Sequence, residues 1–234
     1  MKSKTKALLM VLCALMLVVA SVLGTIAYLT DTETVTNTFT VGNVQIKLDE
    51  AKVKENGEVE SESGSEERTT EGNAYHLLPG HTYVKDPTVT VLGGSEESYV
   101  RMMVTVNFSE ELDAIFAPNG ANLINIFYGY DETEWSLYDV TEDAENNVRT
   151  YEFRYKDTVA KAATDTALDP LFDKIIVPQF VDNEDLASLV EYGTDKDGNT
   201  VIVDQFTISI TAHAIQADGF EDDDAAWAAF DAQN

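Results

Sequence analysis

Apolar and polar residues alternate with period two along several stretches of this chain, the signature of half-buried strands. The pattern is strongest over residues 99–108, where Val100, Met102, Val104, Val106 and Phe108 share one face. A second long run, residues 205–216, sets Phe206, Ile208, Ile210, Ala212 and Ala214 against Thr207, Ser209, Thr211 and His213. Shorter runs at residues 89–91, 127–130, 135–138, 149–155 and 175–177 read as further strands. Asn146-Asn147 and Asp197-Gly198 mark hairpin turns. Helical spacing is brief. Ser109 predicts an N-cap ahead of Leu112 and Phe116, and Asn183 predicts the cap of a short helix over residues 183–191 carrying Leu186, Leu189 and Val190. Near the end, Glu221-Asp222-Asp223-Asp224 precedes Ala225 to Phe230, and acids are favoured at a helix N-terminus. That helix reads as a cap on the end of the fold, with a docking peptide for a neighbour as the alternative.

Toward the start, every even position from Thr30 to Thr40 is threonine. The odd face runs from Asp31 and Glu33 to Val35, Phe39 and Val41, so it changes from acidic to apolar. This predicts an extended segment over residues 28–36 that buries little of itself, then a strand over about residues 37–48 that bends at Gly42. Residues 49–73 interleave glutamates with serine and glycine and carry few apolar side chains, which predicts a solvated acidic loop. The sum is seven to nine short strands with helical insertions and no βαβ alternation. The expected fold is all-β: an antiparallel, jelly-roll-like β-sandwich over residues 37–218, followed by a short helix and tail over 219–234.

The first residues belong to a different class. Lys2, Lys4 and Lys6 precede an apolar run from Ala7 to about Leu29 whose later part is rich in small residues. This is the pattern of a secretory signal, expected here as a helix within residues 1–27. The run is also long enough to span a bilayer, so an uncleaved anchor over residues 7–29 is the alternative. In both cases the rest of the chain lies outside the membrane, with the lysines inside.

Composition sharpens the picture. The chain of 234 residues carries 15 lysines and arginines against 42 aspartates and glutamates, a net charge of −27. Loss of residues 1–27 would remove three lysines and no acid. Such a surface repels phosphate backbones, which excludes nucleic acid as a partner. The single cysteine, Cys13, lies in the apolar run, so neither a disulfide framework nor a thiolate metal site is available to the folded part. His76, His81 and His213 do not form a zinc-protease motif, and no nucleophile elbow or phosphate-binding glycine loop occurs. No catalytic residue, metal ligand or cofactor is assigned, and the chain is not expected to be an enzyme.

Several segments resemble one family. Gly24-Thr25-Ile26-Ala27-Tyr28-Leu29-Thr30-Asp31, followed by Asn37-Thr38-Phe39-Thr40-Val41-Gly42-Asn43-Val44, is similar to the signal end and first strand of the TasA/camelysin proteins of Gram-positive bacteria. The turn from Leu78-Pro79-Gly80 to Lys85-Asp86-Pro87 and the stretch from Ala214 to Phe220 with Ala226 to Phe230 resemble it as well. The resemblance implies secretion, cleavage between Ala27 and Tyr28 by a SipW-type signal peptidase, and assembly into extracellular biofilm-matrix fibres. It further implies that an N-terminal strand, carrying Tyr28, Leu29, Thr30, Thr32, Thr34, Val35 and Thr36, is donated to the next subunit. Camelysin has also been described as a metallopeptidase, an activity for which this sequence offers no zinc motif.

Three functions follow in descending order. The first is a homo-oligomeric matrix subunit at the cell surface. The second is a membrane-tethered surface domain that binds another matrix protein or a ligand. The third is a secreted metallopeptidase.

Overall fold

The computed structural model describes residues 43–62, 65–116 and 126–233. The expected signal helix, the Ala27–Tyr28 junction, the candidate donor strand and the first half of the strand expected over residues 37–48 lie outside these residues.

The described residues are mostly β, in antiparallel sheets with three short helices. One four-stranded sheet contains β1 (Ile46–Ala51), β4 (Arg68–Thr69), β6 (Thr88–Val91) and β11 (Thr166–Ala167), in the order β11-β6-β1-β4. The other contains β7 (Ser98–Asn107), β9 (Trp135–Asp143), β10 (Val148–Tyr155) and β15 (Ile208–Gln216), in the order β15-β7-β10-β9. A three-stranded sheet orders β5 (Thr82–Val84), β12 (Lys174–Ile176) and β8 (Phe127–Tyr128) as β5-β12-β8. Two ribbons complete the set: β2 (Ser61–Glu62) with β3 (Ser65–Glu66), and β13 (Val190–Thr194) with β14 (Thr200–Gln205). The helices are α1 (Ser109–Phe116), α2 (Asn183–Ala187) and α3 (Asp223–Asp231).

The alternation over β7 is realised as expected. Val100, Met102, Val104 and Val106 are buried in one core with Tyr83, Trp135, Tyr151, Phe153, Leu171 and Phe172. Burying a large apolar side chain contributes about 1.5–3 kcal/mol, so this aromatic-rich interior is the main source of stability. Phe127 stacks on Phe172 at 4.8 Å and meets Tyr151 edge-on at 6.1 Å.

Several local expectations are corrected. Strands outnumber the expected seven to nine, because pairings of two residues such as β2, β3, β4, β8 and β11 leave no periodic trace in a sequence. Ser109 is not the N-cap of α1. Phe108, at φ 56°, precedes the helix, and the capping acceptor comes from the β9–β10 turn. There Asn147, itself at φ 53°, accepts from the Glu110 backbone N–H through Oδ1 at 2.9 Å. Its Nδ2 donates to Glu111 at 2.7 Å. In α2 the cap is Asp182, in a capping box with Asp185, and Val190 leaves the helix for β13.

The acidic segment is also more structured than a solvated loop. β1 continues through Asp49 and Glu50 to Ala51, and these three residues are buried. Arg68 explains part of this. It donates to Asp49 at 2.6 Å and to Asp86 at 2.7 Å, tying β4 to β1. Burial acts to raise the Asp49 carboxyl, but hydrogen bonds from Lys47 and Arg68 outweigh it and hold the group below its ordinary 3.8.

Candidate functional site

β15 is the last strand of its sheet and, among the described strands, pairs with β7 alone. Its register places Ile208, Ile210, Ala212 and Ala214 opposite Val106, Val104, Met102 and Val100. All four partners in β7 are fully covered. The β15 residues share that inward face yet are only half-buried. Among the described residues, no strand therefore covers the outer edge of β15. Backbone donors and acceptors of such an edge are a template for a further strand.

An open cleft of about 190 Å3 lies beside the edge. Ile208, Ser209 and Ile210 form one wall; Leu48, Asp49 and Glu50 of β1, with residues 69–72, form another. Pockets for small organic ligands typically measure about 300–1,000 Å3, so this space suits one or two side chains rather than a whole ligand.

Lys85 and Glu50 also line the cleft, and their ion pair is largely withdrawn from water. Lys85 Nζ donates to Glu50 Oε2 at 2.6 Å, with side chains 6% and 10% exposed. Glu50 Oε1 accepts from Asn73 Nδ2 at 2.8 Å and from the Asn73 backbone N–H at 3.3 Å. Both carboxylate oxygens are thereby satisfied, the condition under which a buried charge persists. The cleft combines a strand edge, an apolar wall and a fixed polar patch. Among the described residues it holds no nucleophile paired with a base.

On the opposite, outer face of the same sheet, two arginines clamp α3. Arg101 of β7 lies over the Trp227 ring at 4.5 Å and the Phe230 ring at 5.2 Å. It pairs with Asp231 and donates through Nε to His213 Nδ1 at 3.2 Å. Arg154 of β10 donates to Glu152 at 2.7 Å, to Asp223 at 3.0 Å and to Asp224 at 2.6 Å. The C-terminal helix thus covers a sheet face of its own chain, rather than one end of the sandwich.

Of the residues expected to form a site, Ala27, Tyr28, Leu29, Thr30, Thr32, Thr34, Val35 and Thr36 lie outside the described residues. His76 and His81 are exposed, and His213 sits on the outer sheet face beside Arg101. Among the described residues, no group of three or more His, Cys, Asp or Glu is placed to hold a metal ion. None of their helices is long and apolar enough to cross a membrane. Sequence reasoning did not find the cleft, whose walls come from residues about 160 positions apart; alternation along β15 shows a strand but not that it is an edge. No family model, no curated protein and no solved structure matches the chain, so the reading of this site rests on its own residues.

Proposed function

We propose that the chain is an exported structural subunit that self-assembles into extracellular fibres by strand addition. The extended stretch of one copy, residues 28–36, lies along the free edge of β15 in the next. The observation that carries this reading is the half-exposed inward face of β15, with Ile208 and Ile210 bordering an open cleft. Main-chain hydrogen bonds supply affinity in such an arrangement, and sockets for alternate side chains set register. The contact is head-to-tail and need not close, which yields filaments. The resemblance of the junction around Ala27 and Tyr28 to TasA/camelysin proteins supports the same reading. With it come a biofilm-matrix location, a SipW-type processing step and jelly-roll winding of the two sheets. In this reading the protein has no catalytic activity.

Electron microscopy tests it with three proteins: one beginning at Tyr28, one beginning at Asn37, and the first carrying Ile210→Lys. Filaments from the first alone support the proposal. Filaments from the Asn37 protein exclude residues 28–36 as the donor, and filaments from Ile210→Lys exclude β15 as the acceptor.

A second reading, a surface domain tethered through residues 7–29 that binds another matrix protein, is favoured by the exposed apolar ribbon of β13 and β14.

A further inference from the structure

We propose that the free edge of β14 takes up an extended segment of a different protein, bearing lysine or arginine among β-branched residues, as a third strand. This surface is separate from the β15 cleft and stands whether or not the chain forms fibres.

β13 and β14 make a sheet of their own. A two-stranded ribbon is marginally stable in water and gains from a third strand. Every residue of β14 is exposed. Tyr192 and Ile202 are opposed across the ribbon on one face, 59% and 54% exposed. On the other face Val201 opposes Gly193, and Val203, 56% exposed, leans over that glycine. A Cβ at Gly193 would lie 2.6 Å from Val203 Cγ1. Apolar groups therefore occupy both faces of a strand whose outer edge has no partner among the described residues.

The base of the ribbon is fixed. Asn107 at the end of β7 donates to the Gln205 carbonyl at 2.9 Å and accepts from the Thr207 backbone N–H at 2.7 Å. The hairpin turn is set by Gly198 at φ 86° and by Asp195, which accepts from the Asp197 and Asn199 backbone N–H groups. The edge is held in one register before any partner arrives, which lowers the ordering cost of binding.

Charge selects the occupant. Glu191 and Asp204 are directly opposed in the ladder, a destabilising juxtaposition of like charges. Asp195 and Asp197 add two more acids at the turn, where Lys196 is the ribbon's own cation. Among the described residues, no lysine or arginine forms an ion pair with any of these four acids. A cationic third strand relieves that repulsion while covering Val201, Ile202 and Val203. A second copy of this chain would bring the same acids and a net charge of −27, so self-pairing of β14 is disfavoured.

The probe is the capped peptide Lys-Val-Thr-Val-Lys-Val, with Glu-Val-Thr-Val-Glu-Val as its counterpart, added to the full chain. Amide hydrogen exchange is read residue by residue. The proposal predicts slowed exchange within β14 with the lysine peptide, weakening with added salt, and none with the glutamate peptide. Glu191→Gln with Asp204→Asn should weaken binding about tenfold, and Ile202→Lys should abolish it while exchange in β7 stays unchanged. Equal protection by both peptides, protection confined to β15 or spread over the acidic surface, or self-association through β14 without peptide would each overturn it.

Discussion

The guanidinium of Arg101 lies over the indole of Trp227, 4.5 Å from its centre, and this contact fastens the C-terminal helix to the sheet. Arg101 is itself buried, so the stack works in a desolvated setting where such contacts contribute about 2 kcal/mol. Trp227→Ala should cost about 3–5 kcal/mol through loss of its packing. Arg101→Lys should cost less than Arg101→Ala, because it keeps the charge over the ring but loses the two-pronged pairing with Asp231. Urea denaturation and hydrogen exchange in α3 measure both. A Trp227→Ala protein as stable as the parent would show that the helix is not held this way.

Stability should fall as pH drops below 6.5, because of His213. Burial and the adjacent Arg101 push its imidazole below the ordinary 6.5, against the pull of Asp231 and Glu152. Between that depressed value and 6.5 the unfolded chain binds more protons than the folded one, so protons favour unfolding. Asp231 and Asp224 act later. Hydrogen bonds from Arg101 hold Asp231 below 3.8, and those from Tyr138 and Arg154 do the same for Asp224. Their contribution is lost as pH falls from 3.8 through those depressed values. His213→Asn should flatten the upper part of the profile and leave the acid limb in place. Denaturant midpoints recorded across pH decide this, and an unchanged slope below 6.5 in the variant contradicts it.

The Lys85–Glu50 pair gives a third prediction. Lys85→Met strands a buried carboxylate and should destabilise by about 3–5 kcal/mol. The double change Lys85→Met with Glu50→Gln should recover much of the loss, since Asn73 can still donate to the amide oxygen. Thermal melts of the single and double variants make the comparison. Additive losses would mean that the two side chains act independently.

Assembly itself should respond to ionic strength. The full chain carries a net charge of −27, and loss of Lys2, Lys4 and Lys6 makes the protein beginning at Tyr28 more negative still, so copies repel one another at low salt. Salt, mildly acid pH or divalent cations should accelerate filament growth from the Tyr28 protein, followed by light scattering. Faster growth in low salt at neutral pH would rule out charge repulsion as the brake.

Much of the strand content was legible because period-two alternation is a local property. Residues 99–108 read as a strand with one buried face, and β7 is that strand. The Asn146-Asn147 and Asp197-Gly198 turns were equally local. Caps were less secure. Ser109 has the right residue type and position, yet the acceptor at α1 is Asn147, 37 positions away from the Glu110 N–H that it satisfies. The acidic insert misled for a similar reason. Glu50 reads as a solvated residue until Lys85 and Asn73 are brought to it.

The sequence by itself determined the β class, the strongest strand faces and the acidic character of the chain. All of these follow from composition or from neighbours within a few positions. Only the tertiary structure decided which strand is an edge, which acids are buried and paired, and where the C-terminal helix lies. Those depend on residues far apart in the chain meeting across sheets, as Leu48 meets Ile208 across the cleft and Arg101 meets Asp231 on the outer face. The free energy of burying a charge or leaving an edge open is set by that meeting, and no local pattern encodes it.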